Sequence, residues 1–352
     1  MNKRVASIDI LRGFDMFLLV FLQPVIYYFG KAIDCQWILY NFSHETWEGF
    51  RFWDIIMPLF MFMAGTSLPF SMAKYQGQES KWPAYKKILR RFVILFALGW
   101  WAQGNILGLD INKFYIYNNT LQAIASGYLI ASIILLNTNL KGRIAAIAAL
   151  LLIYWIPMRF CGDYTNGGSF ANKVDALLMG RFQGDASYTW IWSSLTFAVT
   201  VLLGSLAGTI IKEAGDKRPR AALQILVLGA VCLGLGLLWS LESPIIKRLW
   251  TTSMTLFSGG ICLILMAAFY WWIDVRGHIK GLDWLKIYGM NSIAAYIIGL
   301  KINFRSVAQS LLYGFEHLMK PEFYTVLITF ANYAIVFCIL LILYRKKIFI
   351  KV

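Results

Sequence analysis

Apolar residues arrive in long blocks along this chain, without the alternation or seven-residue pattern of soluble proteins, and ten blocks are long enough to cross about 30 Å of hydrocarbon. They fall near residues 10–29, 52–73, 88–109, 120–136, 142–158, 191–211, 221–239, 251–273, 284–301 and 323–344. A bilayer offers no partner to open backbone, so each block is predicted as a helix. The expected fold is all-α: a polytopic integral membrane helical bundle of about ten transmembrane helices, forming one domain over residues 1–352. Within the third block, Gln103, Gly104 and Asn105 predict a polar break facing the protein interior. Gly204 and Gly208 make a GxxxG in the sixth block, where two helix backbones can approach closely.

Composition agrees with the pattern. A hydrophobic share of 59% with only 14% charged residues lies far from globular averages and excludes disordered and disulfide-stapled secreted classes. The net charge of +15 first has to be read as topology, and no nucleic-acid partner is expected. With the N-terminus inside, two thirds of the 33 lysines and arginines fall on cytoplasmic segments. These include Lys3, Arg4, the cluster Lys86, Lys87, Arg90 and Arg91, and a terminal group reaching Lys351. Both termini are therefore predicted cytoplasmic, which an even number of spans requires, and residues 30–51, 159–190 and 302–322 form the long outer loops. Lys3 and Arg4 lead directly into the first block without a small-residue cleavage site, so that helix is expected to be retained. Cysteines 35, 161, 232, 262 and 338 show no metal-ligand spacing, and no metal is expected. Only Cys35 and Cys161 fall outside, so the choice is between one bridge and five unpaired thiols. A homodimer is compatible with the sequence without being specified by it.

Polar groups at the ends of the first two blocks carry the candidate chemistry. In Ser43-His44-Glu45-Thr46-Trp47-Glu48-Gly49 a histidine stands beside two carboxylates and a large aromatic on the predicted outer side. Histidine is the side chain best suited to take a proton near neutral pH; a solvated loop residue is the plainer reading. Asp54 follows at the start of the second block, either orienting the His44 ring or capping helix amides. Asp9, Arg12 and Asp15 share one face of the first helix, as a buried ion-pair network or as an arginine presented to a phosphorylated cofactor. Gln23-Pro24 predicts a kink beside a polar cavity. Asn291 and Ser292 place polar side chains in the ninth block, and Arg90 lies in a basic stretch suited to anionic lipid or phosphate. Trp47, Tyr188, Trp190 and Trp192 can stack on sugar or form an interfacial aromatic belt. Walker A, GxSxG and HExxH motifs are absent, which argues against an NTP-driven pump, an α/β-hydrolase and a zinc protease.

Several of these stretches together resemble one family, the transmembrane acyltransferases typified by heparan-α-glucosaminide N-acetyltransferase. The matching pieces are Arg4-x-x-Ser7-Ile8-Asp9-x-x-Arg12-Gly13, then His44-x-x-Trp47-x-Gly49 with Asp54 and Pro58 leading to Phe60-Met61-Phe62-x-x-Gly65. Gly289-Met290-Asn291-Ser292 and Tyr344-Arg345-Lys346-Lys347-Ile348-Phe349 complete the set. The resemblance implies acetyl-CoA taken from the cytoplasmic side and an amino sugar or glycan acceptor on the outer side. It makes His44 the active-site histidine and Asp54 its supporting carboxylate. Where some members carry an asparagine on the first span, this chain has Gln23, which puts acceptor identity in question. Arg12, Arg90, Asn291 and Ser292 are the expected contacts of acetyl-CoA, and Trp47 and Glu48 those of the acceptor. A bacterial inner membrane is the expected location, the lysosomal members carrying an N-terminal lumenal extension. A secondary transporter of a sugar and an O-acyltransferase of envelope polysaccharide are the competing functions.

Overall fold

The computed structural model describes residues 5–75, 78–104 and 109–350. Among them, eight helices are long and apolar enough to cross a membrane: Ala6–Ala32, Phe52–Tyr75, Thr120–Asn137, Leu140–Phe160, Ser194–Glu213, Arg218–Trp239, Thr252–Val275 and Pro321–Arg345. The two remaining expected spans are helical but differ in kind. The third block folds as Trp82–Gln103, whose first half carries Lys86, Lys87, Arg90 and Arg91, and it stops at Gly104 with φ of 77°. The expected polar break is thus a helix C-terminus at a left-handed glycine; Asn105 lies outside the described residues. The ninth block divides at Asn291 into Asp283–Met290 and Ser292–Lys301.

The chain forms two compact units. The first comprises residues up to 44, 51–56 and 277 onward, and the second comprises 45–50 and 57–276.

In the first unit the opening span is helical over Ala6–Phe17, widens to a π-helical turn at Leu18–Leu22, and resumes over Gln23–Ala32. Pro24 explains the wide turn, because its ring and missing N–H cannot serve the carbonyl one turn back in a regular α-helix. The irregularity at Gln23-Pro24 thus takes the form of a π-helical turn just before Gln23. Gly13 lies on the backbone of Leu285, and Gly289 lies on the backbone of Asp9. These two glycines bring the first span against Asp283–Met290 with no side chain between. Aromatic rings fix the last helix to the same group, with Phe21 on Phe330 at 5.3 Å and Tyr288 stacked on Phe337 at 5.5 Å.

In the second unit Ser194–Glu213 is the central helix, buried along most of its length. Its GxxxG works as expected: Gly204 and Gly208 lie on the carbonyls of Phe62 and Thr66, and Gly65 returns the contact on Val201. Lipid tails are as apolar as leucine, so such close backbone packing is what holds neighbouring spans together. At the loop end, Tyr154, Met158, Ala171, Ile246 and Leu249 form a small core that Trp47 and Trp192 join. Asp175 pins the following loop, accepting backbone N–H bonds from Trp190 at 2.7 Å and Ile191 at 3.0 Å. None of the five cysteines is in a disulfide.

Candidate functional site

The first unit holds His44, Asp54 and Gln23 in one bonded arrangement. Arg51 precedes a short 3₁₀ turn, Phe52–Ile55, that starts the second span. Asp54 within that turn is fully buried and spends both oxygens: Oδ2 accepts from the Arg51 backbone N–H at 3.0 Å, and Oδ1 meets His44 Nδ1 at 2.9 Å. Both sequence readings of Asp54 therefore hold at once, since it caps the helix start and engages the imidazole.

An ionised carboxylate can only accept, so the proton of a neutral His44 ring resides on Nδ1 and the lone pair on Nε2. About half of the His44 side chain is exposed, while Asp54 is wholly enclosed. The pair thus has one dry end, where an electrostatic interaction is strong, and one open end, where a substrate proton can arrive.

Three further contacts hold the loop that carries His44. Gln23 Nε2 donates to the Phe42 carbonyl at 3.1 Å. Arg51 donates to Ser43 Oγ at 2.8 Å and lies over the Tyr40 ring at 4.0 Å. Phe42 packs near Phe52 and Trp53, at centroid distances of 5.5 and 6.2 Å. Residues 42, 43 and 44 are consequently each fixed by a different partner. Arg51, Ser43 and Tyr40 were not visible as site residues in the sequence; the one available signal was an arginine three positions before a helix-starting aspartate.

Other expected residues sit elsewhere in the first unit. Arg12 pairs with Asp9 at 3.7 Å, but Asp15 is fully buried with neither oxygen hydrogen-bonded, so the expected three-member network does not close. Asn291 is buried and tied to the C-terminal backbone, donating to Ile348 O at 3.1 Å and accepting from Ile350 N at 3.0 Å. That pair of bonds explains why the helix breaks there. Ser292 opens the next helix and is half-buried.

Trp47, Glu48 and Arg90 belong to the second unit. Trp47 donates its indole N–H to Tyr164 O at 2.8 Å, and Glu48 is exposed and forms an isolated antiparallel bridge with Ile246. Arg90 is exposed on Trp82–Gln103. Of the aromatics expected on the outer side, Trp190 is buried and stacked on Tyr188 at 5.8 Å, while Trp192 packs edge-on against Phe170 at 5.0 Å. Trp192 joins the loop core, and Trp190 also packs near Tyr117 at 5.4 Å. Burial pushes the Asp175 carboxyl up from its ordinary 3.8 to about 6, against the opposing pull of the Trp190, Ile191 and Trp192 backbone amides.

Comparison with known proteins agrees with these motifs. The chain is 24% identical to human (Homo sapiens) heparan-alpha-glucosaminide N-acetyltransferase, in an alignment covering 99% of this chain and 60% of that protein. The mouse (Mus musculus) protein of the same name is 22% identical, with 84% of this chain and 53% of that protein covered. The chain thus spans between half and three fifths of the length of these relatives. Residues 4–241 match the family described as heparan-alpha-glucosaminide N-acetyltransferase, catalytic, and because that match takes in well over half of the sequence, the chain belongs to this family of multi-pass membrane proteins.

Proposed function

We propose that this protein is a membrane-embedded acetyltransferase that moves the acetyl group of cytoplasmic acetyl-CoA to the amino group of a glucosamine-type sugar or glycan on the outer side, in a bacterial inner membrane. The observation that carries the reading is the His44/Asp54 pair, with the carboxylate enclosed and the imidazole open. An amine attacks a thioester only as the free base. His44 Nε2 takes the amine proton as the C–N bond forms, the C–S bond then breaks, and the CoA thiolate leaves and is protonated. A base so placed supplies about 10²- to 10⁴-fold. Asp54 stabilises the imidazolium formed during that step and holds the ring in the required tautomer.

Transfer is direct, within a ternary complex, because the thioester is already activated and an acetyl-histidine adds a step without need. The bond from Gln23 to Phe42 supports a positioning role for that glutamine. On the family resemblance alone, Arg12 and Ser292 of the first unit and Arg90 of the second stay proposed contacts of the donor, and Trp47 and Glu48 of the acceptor; Asn291 is buried with both ends of its amide bonded to backbone. The test is incubation of purified protein with labelled acetyl-CoA and a panel of amino sugars and glycans. Label should appear on an amine of the acceptor; transport of unmodified sugar without consumption of CoA would overturn the reading.

A further inference from the structure

A group of cations in the second unit has no carboxylate partner among the described residues. Lys74 lies in the 3₁₀ turn Ala73–Tyr75 that ends the second span, and Lys87 lies in the second turn of Trp82–Gln103. Their ammonium groups lie 4.8 and 5.9 Å from the centroid of one ring, Tyr75, and Lys87 also donates to Ser71 O at 3.5 Å. Arg91, one helical turn after Lys87, places its guanidinium 4.3 Å from the centre of the Tyr128 ring. Lys87 is within electrostatic reach of both other cations. Among the described residues, none of the three pairs with a carboxylate.

In the same group, Arg91 Nε and the Oη of Tyr128, whose ring the guanidinium covers, are buried and find no hydrogen-bond partner among the described residues; Ser132 Oγ, on the same helix as Tyr128, is likewise buried and without one. Tyr128 and Ser132 are one turn apart on the same helix, so they share a face. Three like charges held together cost free energy, and so do enclosed donors without acceptors; one multivalent anion removes both costs. Phosphate fits this demand, with several oxygens for several donors.

We infer that Lys74, Lys87 and Arg91, with the hydroxyl of Tyr128, form a binding site for a phosphate group. Two sources offer that chemistry: the phosphates of the acyl-CoA donor and the headgroup of an anionic phospholipid. The first source rests on the acetyl-CoA reading above; the phosphate site does not.

The test uses the full chain in nanodiscs. Adenosine 3′,5′-bisphosphate, the phosphorylated end of coenzyme A without its thioester, is titrated into zwitterionic discs, and retention of phosphatidylglycerol is measured by native mass spectrometry from mixed discs. Wild-type protein should bind one of these probes. The double variant Lys74→Gln/Lys87→Gln should weaken that binding about tenfold or more, since charge-assisted bonds of this kind are the strong ones. Both lysines are exposed, so this variant decides the matter even where Arg91→Gln fails to fold. A loss confined to the bisphosphate assigns the nucleotide, and a loss confined to phosphatidylglycerol assigns the lipid; either supports the site. Unchanged binding of both would overturn it, leaving the cations a topology signal alone. Variant-sensitive bisphosphate binding by a protein without transferase activity would sink the proposed function and leave this site standing.

Discussion

The substitution that separates catalysis from support at His44 is His44→Asn. Asparagine places an amide N–H near the position of imidazole Nδ1, so it can still donate to Asp54 Oδ1, now met by the ring at 2.9 Å. It has nothing at the position of Nε2. The base is removed and the buried carboxylate keeps a partner. Transfer should fall by about 10²- to 10⁴-fold, equivalent to roughly 3–5 kcal/mol of barrier, while thermal stability changes little. Alanine at the same position behaves differently. It leaves one oxygen of a fully buried carboxylate without its imidazole donor, at a cost of about 1–3 kcal/mol of stability. Acetyl transfer from labelled donor and unfolding followed by tryptophan fluorescence, measured on both variants, give the comparison. If His44→Asn keeps more than a tenth of wild-type activity, His44 is not the base. If it loses as much stability as alanine does, the pair is a structural device and the catalytic argument fails.

Asp54→Asn should lower transfer to a similar degree and also reduce stability by about 1 kcal/mol, because a single amide oxygen cannot accept from both His44 and the Arg51 backbone; calorimetry alongside turnover checks both. Gly65→Ala would drive a methyl group into the Val201 carbonyl of the central helix, so the variant should be expressed at lower yield and unfold at lower temperature. Asp15→Asn should leave the unfolding temperature unchanged or raise it, since it replaces, at equal size, an enclosed carboxyl without a hydrogen bond among the described residues by a group that cannot ionise; a fall would show that Asp15 has a partner in the working protein. The raised Asp175 carboxyl sets a pH dependence on its loop. Between its ordinary 3.8 and about 6 the folded state holds the extra proton, so this contribution is complete below pH 4 and is lost as pH rises through 6. Its size is roughly 2–3 kcal/mol, and hydrogen-exchange protection factors over residues 186–193, corrected for the intrinsic pH dependence of exchange, should be higher at pH 5 than at pH 7.

The helical class was legible because unbroken apolar runs leave lipid-facing backbone one solution, and eight of the runs return as helices fit to span. The exceptions have local causes that hydropathy does not weigh. Trp82–Gln103 starts among cations, and the ninth run breaks because the Asn291 amide bonds backbone 57 and 59 residues away. Distance along the chain separates what could be read at the site from what could not. His44 and Asp54 are ten residues apart, close enough for their chemistry to suggest a pair. The Gln23 bond to a carbonyl 19 residues on, and the Trp47 bond to one 117 residues on, leave no pattern in the sequence because any residue supplies the accepting carbonyl. For the same reason the sequence offered Trp47 as a sugar platform or a member of an aromatic belt without showing that its N–H also anchors a loop. Side chain to side chain chemistry is written in residue identity; side chain to backbone chemistry is written only in the fold. Asp54 lies on both sides of that line, its bond to His44 predictable and its bond to the Arg51 amide predictable only as helix capping. The sequence presented these as competing roles, and the geometry satisfies them with separate oxygens of one carboxylate.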